Sequence, residues 1–133
     1  MLRSMLIPAL TISAAASWLC ITSLGAFAEG DQVQGEKVFT KCQICHALQA
    51  GKNKIGPSLH GLIGRPSASV EDFSYSDAMK NAHVIWNEAT LDKYLTDPKA
   101  MVPGTKMLFP GLPKAEDRAN LIAYLKQAAG SAQ

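Results

Sequence analysis

The sequence predicts one all-α domain in which three to five helices are joined by long irregular loops. Apolar residues recur at helical spacing in two segments, 32–45 and 113–126, near the two ends of the chain. The strict alternation of apolar and polar residues that is typical of a half-buried strand does not occur. Gly and Pro are concentrated between the helical segments, which favours loops there.

Composition excludes several classes of protein. The chain has 133 residues, about the length of one domain, and 47% of them are apolar, too many for a disordered chain. Its net charge is only +2, whereas a protein that binds nucleic acid electrostatically carries a strong basic excess. We therefore expect no nucleic-acid partner.

Residues 1–28 have the pattern of an export signal. They contain one charge, Arg3, followed by an apolar stretch that ends in a small-x-small pattern at 26–28 and then in acidic residues. We predict that this segment is a cleaved signal peptide and that residues 29–133 form the exported domain, which has a net charge of +1. The alternative is an uncleaved membrane anchor, because the apolar stretch is nearly long enough to span a bilayer.

The first helical segments have recognisable start signals. Asp31 is a suitable N-cap for a helix that continues from Gln32 to about Cys45. Ser76 can cap a short helical turn that runs through Asn81.

The later helices are bounded by prolines. Thr90 can cap a helix that ends by Asp97, since Pro98 follows. Pro113 can open a last helix with acidic residues in its first turn and Lys126 in its last, which matches the helix dipole.

The exported part contains one Cys-x-x-Cys-His motif, formed by Cys42, Cys45 and His46, which is the attachment signature of c-type haem. On a helix these three positions share a face, so two thioethers and an imidazole can reach one porphyrin. A redox disulfide is one alternative, but it favours a preceding strand. A zinc site is another, but it needs four ligands, and a second cysteine pair is missing.

A haem also accounts for the loop between about Asn53 and Ser74. A loop of that length is unusual in a domain of this size, and a domain this small has a thin core of its own. Irregular backbone that wraps around a cofactor resolves both difficulties. We therefore expect the loops to enclose one covalently attached haem.

The exported part has three methionines that are candidates for a second iron ligand: Met79, Met101 and Met107. Met107 lies between Pro103 and Pro110, in an extended segment that can present a thioether to a metal. Met79 and Met101 fit the usual role of methionine as a core residue. The two lone histidines, His60 and His83, are expected at the surface.

These motifs belong to a longer pattern. The chain resembles the class I c-type cytochromes, in the branch of mitochondrial cytochrome c and its soluble bacterial relatives, from Gly35 to about Lys126. The resemblance is carried by Gly35 and Phe39, by the haem motif, by Trp86, and by the runs 56–65, 73–78, 94–95, 97–99, 103–107 and 121–126.

The resemblance implies the cytochrome c fold and a set of haem contacts. It implies that His46 and Met107 are the axial ligands and that the Pro57 carbonyl accepts the ring N–H of His46. It further implies that Tyr94 lies near Met107. It also implies a set of residues around the haem propionates, namely Arg65, Tyr75, Trp86 and Thr105.

With both axial positions filled by protein, such a haem carries electrons rather than binding a substrate. We therefore expect a periplasmic one-electron carrier, not an enzyme, between respiratory or dehydrogenase complexes and a terminal oxidase or reductase. The alternatives are a haem peroxidase or sensor with a labile Met ligand, and a membrane-tethered carrier.

We expect a monomer that meets the membrane only through its partner complexes. Redox proteins are expected to dock on a lysine-bearing surface at the haem edge. The five residues of this lysine surface are Lys41, Lys52, Lys54, Lys99 and Lys106.

Overall fold

The computed structural model describes residues 29–130, which contain five helices and no sheet. The helices are α1 Gln32–Phe39, α2 Asp77–Lys80, α3 Glu88–Thr96, α4 Pro98–Met101 and α5 Ala115–Ala128. One isolated antiparallel bridge joins Pro66 to Ile85. The all-α fold class is thus confirmed, whereas the signal peptide predicted at 1–28 lies outside the described residues.

Helix α1 begins as predicted but ends early. The Asp31 carboxylate accepts hydrogen bonds from two amides of the first turn. After Phe39 the amide of Cys42 bonds to the carbonyl three residues back, and that of Cys45 does the same. The predicted continuation to Cys45 is therefore wrong, because tight turns replace the α-helical pattern here. His46 still donates its amide to the Cys42 carbonyl, so the motif stays on one turn.

Helices α1 and α5 cross in close contact, which joins the two ends of the described chain. A Cβ atom on Gly35 would lie only 2.0 Å from the carbonyl oxygen of Asn120, so the approach requires glycine. Beside it the rings of Phe39 and Tyr124 pack with centroids 5.3 Å apart. Leu121 of α5 is 0% exposed and lies in the core next to this crossing.

Helix α2 has the predicted cap, since the Ser76 hydroxyl accepts from the amide of Met79. Helix α3 starts earlier than predicted. Its N-cap is Asn87, and Thr90 is the third helical residue. The two residues form a capping box, in which the Asn87 amide donates to the Thr90 hydroxyl and the Thr90 amide donates to the Asn87 side chain. Its end before Pro98 agrees with the sequence analysis.

Helix α4 was not foreseen from the sequence. Pro98 supplies its first residue, and the Asp97 carboxylate accepts from the Ala100 amide. Helix α5 begins at Ala115, slightly later than predicted. None of the helices in the described range is long and apolar enough to cross a membrane.

The buried core lies among α1, α3, α5 and the loops between them. Its residues are Phe39, Leu62, Met79, Trp86, Leu91, Tyr94, Leu95, Val102, Leu112, Leu121, Ile122 and Leu125. Met107, Tyr75 and Cys42 are half-buried against it. Side chains of the irregular segment 40–76 therefore pack against the helices. As a result, the haem motif lies at the edge of the core.

Candidate haem-binding site

The haem motif is held against the next loop by two hydrogen bonds. The Gly56 amide donates to the Cys45 carbonyl at 2.8 Å, and ring nitrogen Nδ1 of His46 lies 2.8 Å from the Pro57 carbonyl. Cys42 and Cys45 are partly buried and form no disulfide with each other. The predicted partnership of His46 and Pro57 is thus present in the structure.

The Pro57 contact defines the protonation of the His46 ring. A carbonyl oxygen only accepts, so Nδ1 carries the proton and Nε2 of the neutral ring keeps its lone pair. Burial lowers the pKa of His46 below its usual value, and the charges of Lys54 and Arg65 lower it further, while the bond to Pro57 opposes them. The side chain is therefore a neutral imidazole with one nitrogen free to bind a metal.

Gly56 permits the close packing of the loop on this ring. A Cβ atom at this position would lie 2.4 Å from Cε1 of His46 and 2.7 Å from Nδ1. Any side chain would therefore push the ring away from Pro57. The requirement for glycine comes from the neighbouring ring and not from the backbone conformation.

Met107 is bound by a small network of hydroxyl groups. The Tyr94 hydroxyl donates to the Met107 sulfur at 3.6 Å and lies 3.4 Å from the hydroxyl oxygen of Thr105. Thr105 Oγ1 in turn accepts from the Met107 amide at 3.3 Å. The predicted proximity of Tyr94 and Met107 is present, and Thr105 is in direct contact with both.

Arg65 connects the haem-motif side of the site to the aromatic side. Its guanidinium donates to the carbonyls of His60, at 2.6 Å, and Ser58, at 3.1 Å. Its own carbonyl accepts from the Trp86 amide at 2.9 Å. The Trp86 ring then packs on Tyr94 with centroids 5.0 Å apart.

Tyr75 completes this side. Its hydroxyl accepts from the Val70 amide at 3.3 Å, and its ring packs edge-on against Phe73. Burial raises the pKa of Tyr75, while the Val70 bond and the Arg65 charge oppose that rise. The structure thus links Arg65 through Trp86 and Tyr94 to Met107, and it places Tyr75 within the influence of the Arg65 charge.

Asn53 joins two loops of the site, a role that no sequence pattern predicted. Its side-chain oxygen accepts from the Ser58 amide at 2.9 Å, and its amide group donates to the Glu71 carbonyl at 3.3 Å. Ser58 itself is 2% exposed, and its hydroxyl donates to the Gln49 carbonyl. A single loop asparagine carries no sequence signal for such a role, because the partners are backbone groups.

The two alternatives to haem receive no support. Burial raises the pKa of the Cys42 thiol to about 11, whereas a redox-active dithiol needs a readily formed thiolate. Between residues 29 and 130, no group of three or more His, Cys, Asp and Glu side chains is arranged to hold a metal ion. By contrast, two cysteines that form no disulfide, an imidazole with an available Nε2 and a half-buried thioether are the groups that a His/Met-ligated haem c requires.

Comparison with known proteins identifies the family. Residues 32–129 match the family model described as cytochrome c. Cytochrome c2 from Rhodomicrobium vannielii is 50% identical over 115 residues, which cover 86% of this chain and 89% of that protein. Cytochrome c from Nigella damascena is 54% identical over 100 residues, which cover 74% of this chain and 90% of that protein.

A solved structure agrees with this result. Cytochrome cH from Methylobacterium extorquens superposes with a TM-score of 0.69 at 42% identity, over 73% of this chain and 98% of that one. The predicted family and fold are confirmed. The chain belongs to the cytochrome c family: it is a monohaem electron carrier with covalently attached haem c, it exchanges electrons with other redox proteins, and it is not an enzyme.

Proposed function

We propose that this cytochrome is an exported carrier whose iron is bound by His46 Nε2 and the Met107 sulfur, with thioethers from Cys42 and Cys45. The observation that carries this proposal is the His46–Pro57 hydrogen bond, which fixes the neutral tautomer with Nε2 available. When bound, the haem supplies one-electron exchange at its iron. With both of these side chains bound, the iron would have no position open to exogenous ligands.

Tyr94 and Thr105 hold the distal ligand in this scheme. The Tyr94 hydroxyl contacts the Met107 sulfur directly, and Thr105 holds the Met107 backbone. Burial raises the pKa of Tyr94, so the hydroxyl remains a proton donor through the neutral range. A thioether favours ferrous iron, and ligation by Met107 therefore raises the reduction potential.

Arg65, Tyr75, Trp86 and Thr105 are proposed to surround the haem propionates. Arg65 supports this role because its guanidinium is half-buried beside the haem-motif loop, where it already binds two carbonyls. A buried carboxylate needs charged or hydrogen-bonding partners, and these four side chains offer a guanidinium, an indole N–H and two hydroxyls.

Partners are proposed to dock on the lysine surface defined above. All five of its lysines are exposed, although the Lys54 ammonium also donates to the Gln43 carbonyl. The exposed side chains of Ile44 and Ile55, 69% and 80% accessible, lie on the two segments joined by the Gly56–Cys45 bond. Apolar contacts framed by lysines suit a brief encounter with an acidic redox protein.

Several acidic side chains line a different surface. A groove between the start of α1, α3 and α5 is lined by Glu29, Asp31, Glu88, Asp92 and Glu116, together with Arg118 and Lys126. It contains none of the proposed haem contacts. An acidic groove away from the proposed haem contacts supports a preferred orientation of approach, even though the net charge is small.

The pattern of the N-terminal segment supports export. We propose that residues 1–28 are a cleaved signal peptide, and that residues 29–133 act in the periplasm as a monomer. The carrier would then pass electrons from respiratory or dehydrogenase complexes to a terminal oxidase or reductase.

Carbon monoxide binding to the reduced protein tests the axial ligands. The parent protein is expected to resist it, whereas Met107→Ala should bind it while keeping the covalent haem. Met79→Leu and Met101→Leu are the controls and should behave like the parent. If Met107→Ala resists carbon monoxide as well as the parent does, another group holds the sixth position.

A further inference from the structure

Arg118 of α5 is an almost buried cation with an unusual set of partners. Its side chain is 11% exposed, and its Nε donates to the Asp92 carboxylate of α3 at 2.7 Å. Its Nη1 donates to two consecutive backbone carbonyls, those of Leu112 at 2.8 Å and Pro113 at 3.1 Å. One guanidinium thus joins two helices to the segment that lies between α4 and α5.

That segment also carries Met107. The C-terminal end of this segment (the far end) is fixed on α3, because the Leu112 amide donates to the Leu95 carbonyl at 2.7 Å. Gly111, at φ +101°, lies so close to α3 that a Cβ atom there would be 2.3 Å from the Thr96 carbonyl oxygen. Arg118 closes this attachment from the other side by binding the Leu112 and Pro113 carbonyls.

Helix α3 therefore holds the Met107 segment at two places. The Tyr94 hydroxyl holds the part around Met107, through the Met107 sulfur and the Thr105 hydroxyl. Leu95, one residue further along, holds the far end at Leu112. Asp92 of the same helix orients the guanidinium that secures this far end.

We propose that Arg118 is a positioning residue for Met107, acting through the carbonyls of Leu112 and Pro113. The inference rests on the proposed function, in which Met107 binds the iron. Release of residues 111–113 gives the thioether more freedom to leave the metal. Arg118 thereby limits how often the sixth coordination position opens.

The shape of arginine is essential to this role. Its Nε and Nη1 donate in fixed relative directions, so one side chain binds a carboxylate and two carbonyls at once. A lysine in its place keeps the charge opposite Asp92 but has a single nitrogen. Arg118→Lys therefore keeps the ion pair with Asp92 and removes the hydrogen bonds to the two carbonyls, so the two contributions can be measured separately.

Imidazole binding to the oxidised holoprotein measures how often the sixth coordination position opens. Imidazole binds only when the thioether has left, so its apparent affinity rises with the open fraction. We expect Arg118→Lys to tighten imidazole binding about tenfold, the effect of losing one hydrogen bond from a charged donor. Asp92→Asn keeps an oxygen acceptor for Nε and should change the affinity less than about threefold.

Lys126→Gln is the matched control for the contact between α3 and α5. Lys126 pairs with Glu88 across the same two helices, and neither side chain has a hydrogen bond to the Met107 segment. We expect it to leave imidazole affinity unchanged. If Lys126→Gln tightens imidazole binding as much as Arg118→Lys does, the effect is a general loosening of the contact between α3 and α5, and the inference is wrong.

Two further measurements separate the possible failures. If Met107→Ala leaves imidazole affinity unchanged, the proposed ligand and this inference both fail. If Met107→Ala tightens binding and a folded Arg118→Lys does not, the inference alone fails. Should Arg118→Lys not fold, amide exchange in the parent protein decides: saturating imidazole should speed exchange at Leu112 but not at Leu121, and equal protection at Leu112 with and without imidazole would overturn the proposal.

Discussion

The hydroxyl of Tyr94 donates a hydrogen bond to the sulfur of Met107 at 3.6 Å. The bond joins the middle of α3 to a segment otherwise held at Thr105 and at Leu112. A proposed iron ligand in an irregular loop thus receives its orientation from a helix. Several expected outcomes depend on this and on the neighbouring contacts.

Tyr94→Phe should weaken the attachment of Met107 without disturbing the core. The ring keeps its contact with Trp86, and only the hydroxyl bonds are lost, at about 0.5–1.5 kcal/mol each. The long-wavelength absorption of the thioether–ferric bond should then fade at a lower temperature. Tyr124→Phe is the control, because Tyr124 packs against Phe39 and has no hydrogen bond to Met107. Equal thermal profiles for both variants would show that the Tyr94 hydroxyl does not hold the sulfur.

Gly56→Ala should disrupt the His46 side of the site. The added methyl would lie 2.4 Å from the ring, and relief of such overlap costs about 1–3 kcal/mol. Urea unfolding of the holoprotein measures the loss, and the nitrogen chemical shifts of His46 report the bond to Pro57. Gly51→Asn is the control, since nothing lies within 4 Å of that position and asparagine tolerates its positive φ.

Alkali should act through the buried tyrosines. Burial raises the pKa of Tyr94 above its usual value of 10.0, so the folded state keeps a proton that the unfolded chain releases. Stability is therefore complete below pH 10 and falls as pH rises from there through the folded-state pKa. Unfolding free energies measured from pH 9 to pH 11 should fall for the parent and fall less for Tyr94→Phe. If the unfolding free energy falls equally in the two proteins, groups other than Tyr94 cause the loss of stability.

The lysine surface should govern the rate of electron transfer to an acidic partner. The second-order rate constant should fall as ionic strength rises, and Lys41→Gln or Lys106→Gln should reduce both the rate and its salt dependence. Lys93→Gln, on the exposed side of α3, is the control and should change neither. A rate constant that is flat or rises with salt would contradict docking on this surface.

Sequence patterns sufficed where a property is local. The haem motif, the Asp31 and Ser76 caps and the stop before Pro98 depend on residues close together in the chain. The start of α3 was mispredicted because Asn87 and Thr90 are both competent caps, and their choice depends on reciprocal side-chain bonds. The early end of α1 depends on how the segment after Phe39 packs, which local propensity does not determine.

The remainder of the site depends on contacts between distant backbone groups. The roles of Asn53 and Arg118 were not foreseen, because each side chain binds carbonyls whose positions only the fold defines. The links from Arg65 through Trp86 to Tyr94 were likewise hidden. The family pattern named these three residues, but only the structure shows that they touch one another.

The contact of Gly35 with α5 determines whether the two halves of the polypeptide stay together after proteolytic cleavage. It closes nearly the whole described polypeptide into one loop, and closure of a loop of that length opposes folding by about 4 kcal/mol. A single proteolytic nick at the exposed turn around Gly51 would leave α1 and the haem-bearing cysteines on one fragment and α5 on the other. The two fragments should remain associated in a native-like complex, because the helix crossing survives the cut, and they should separate only when that crossing is broken.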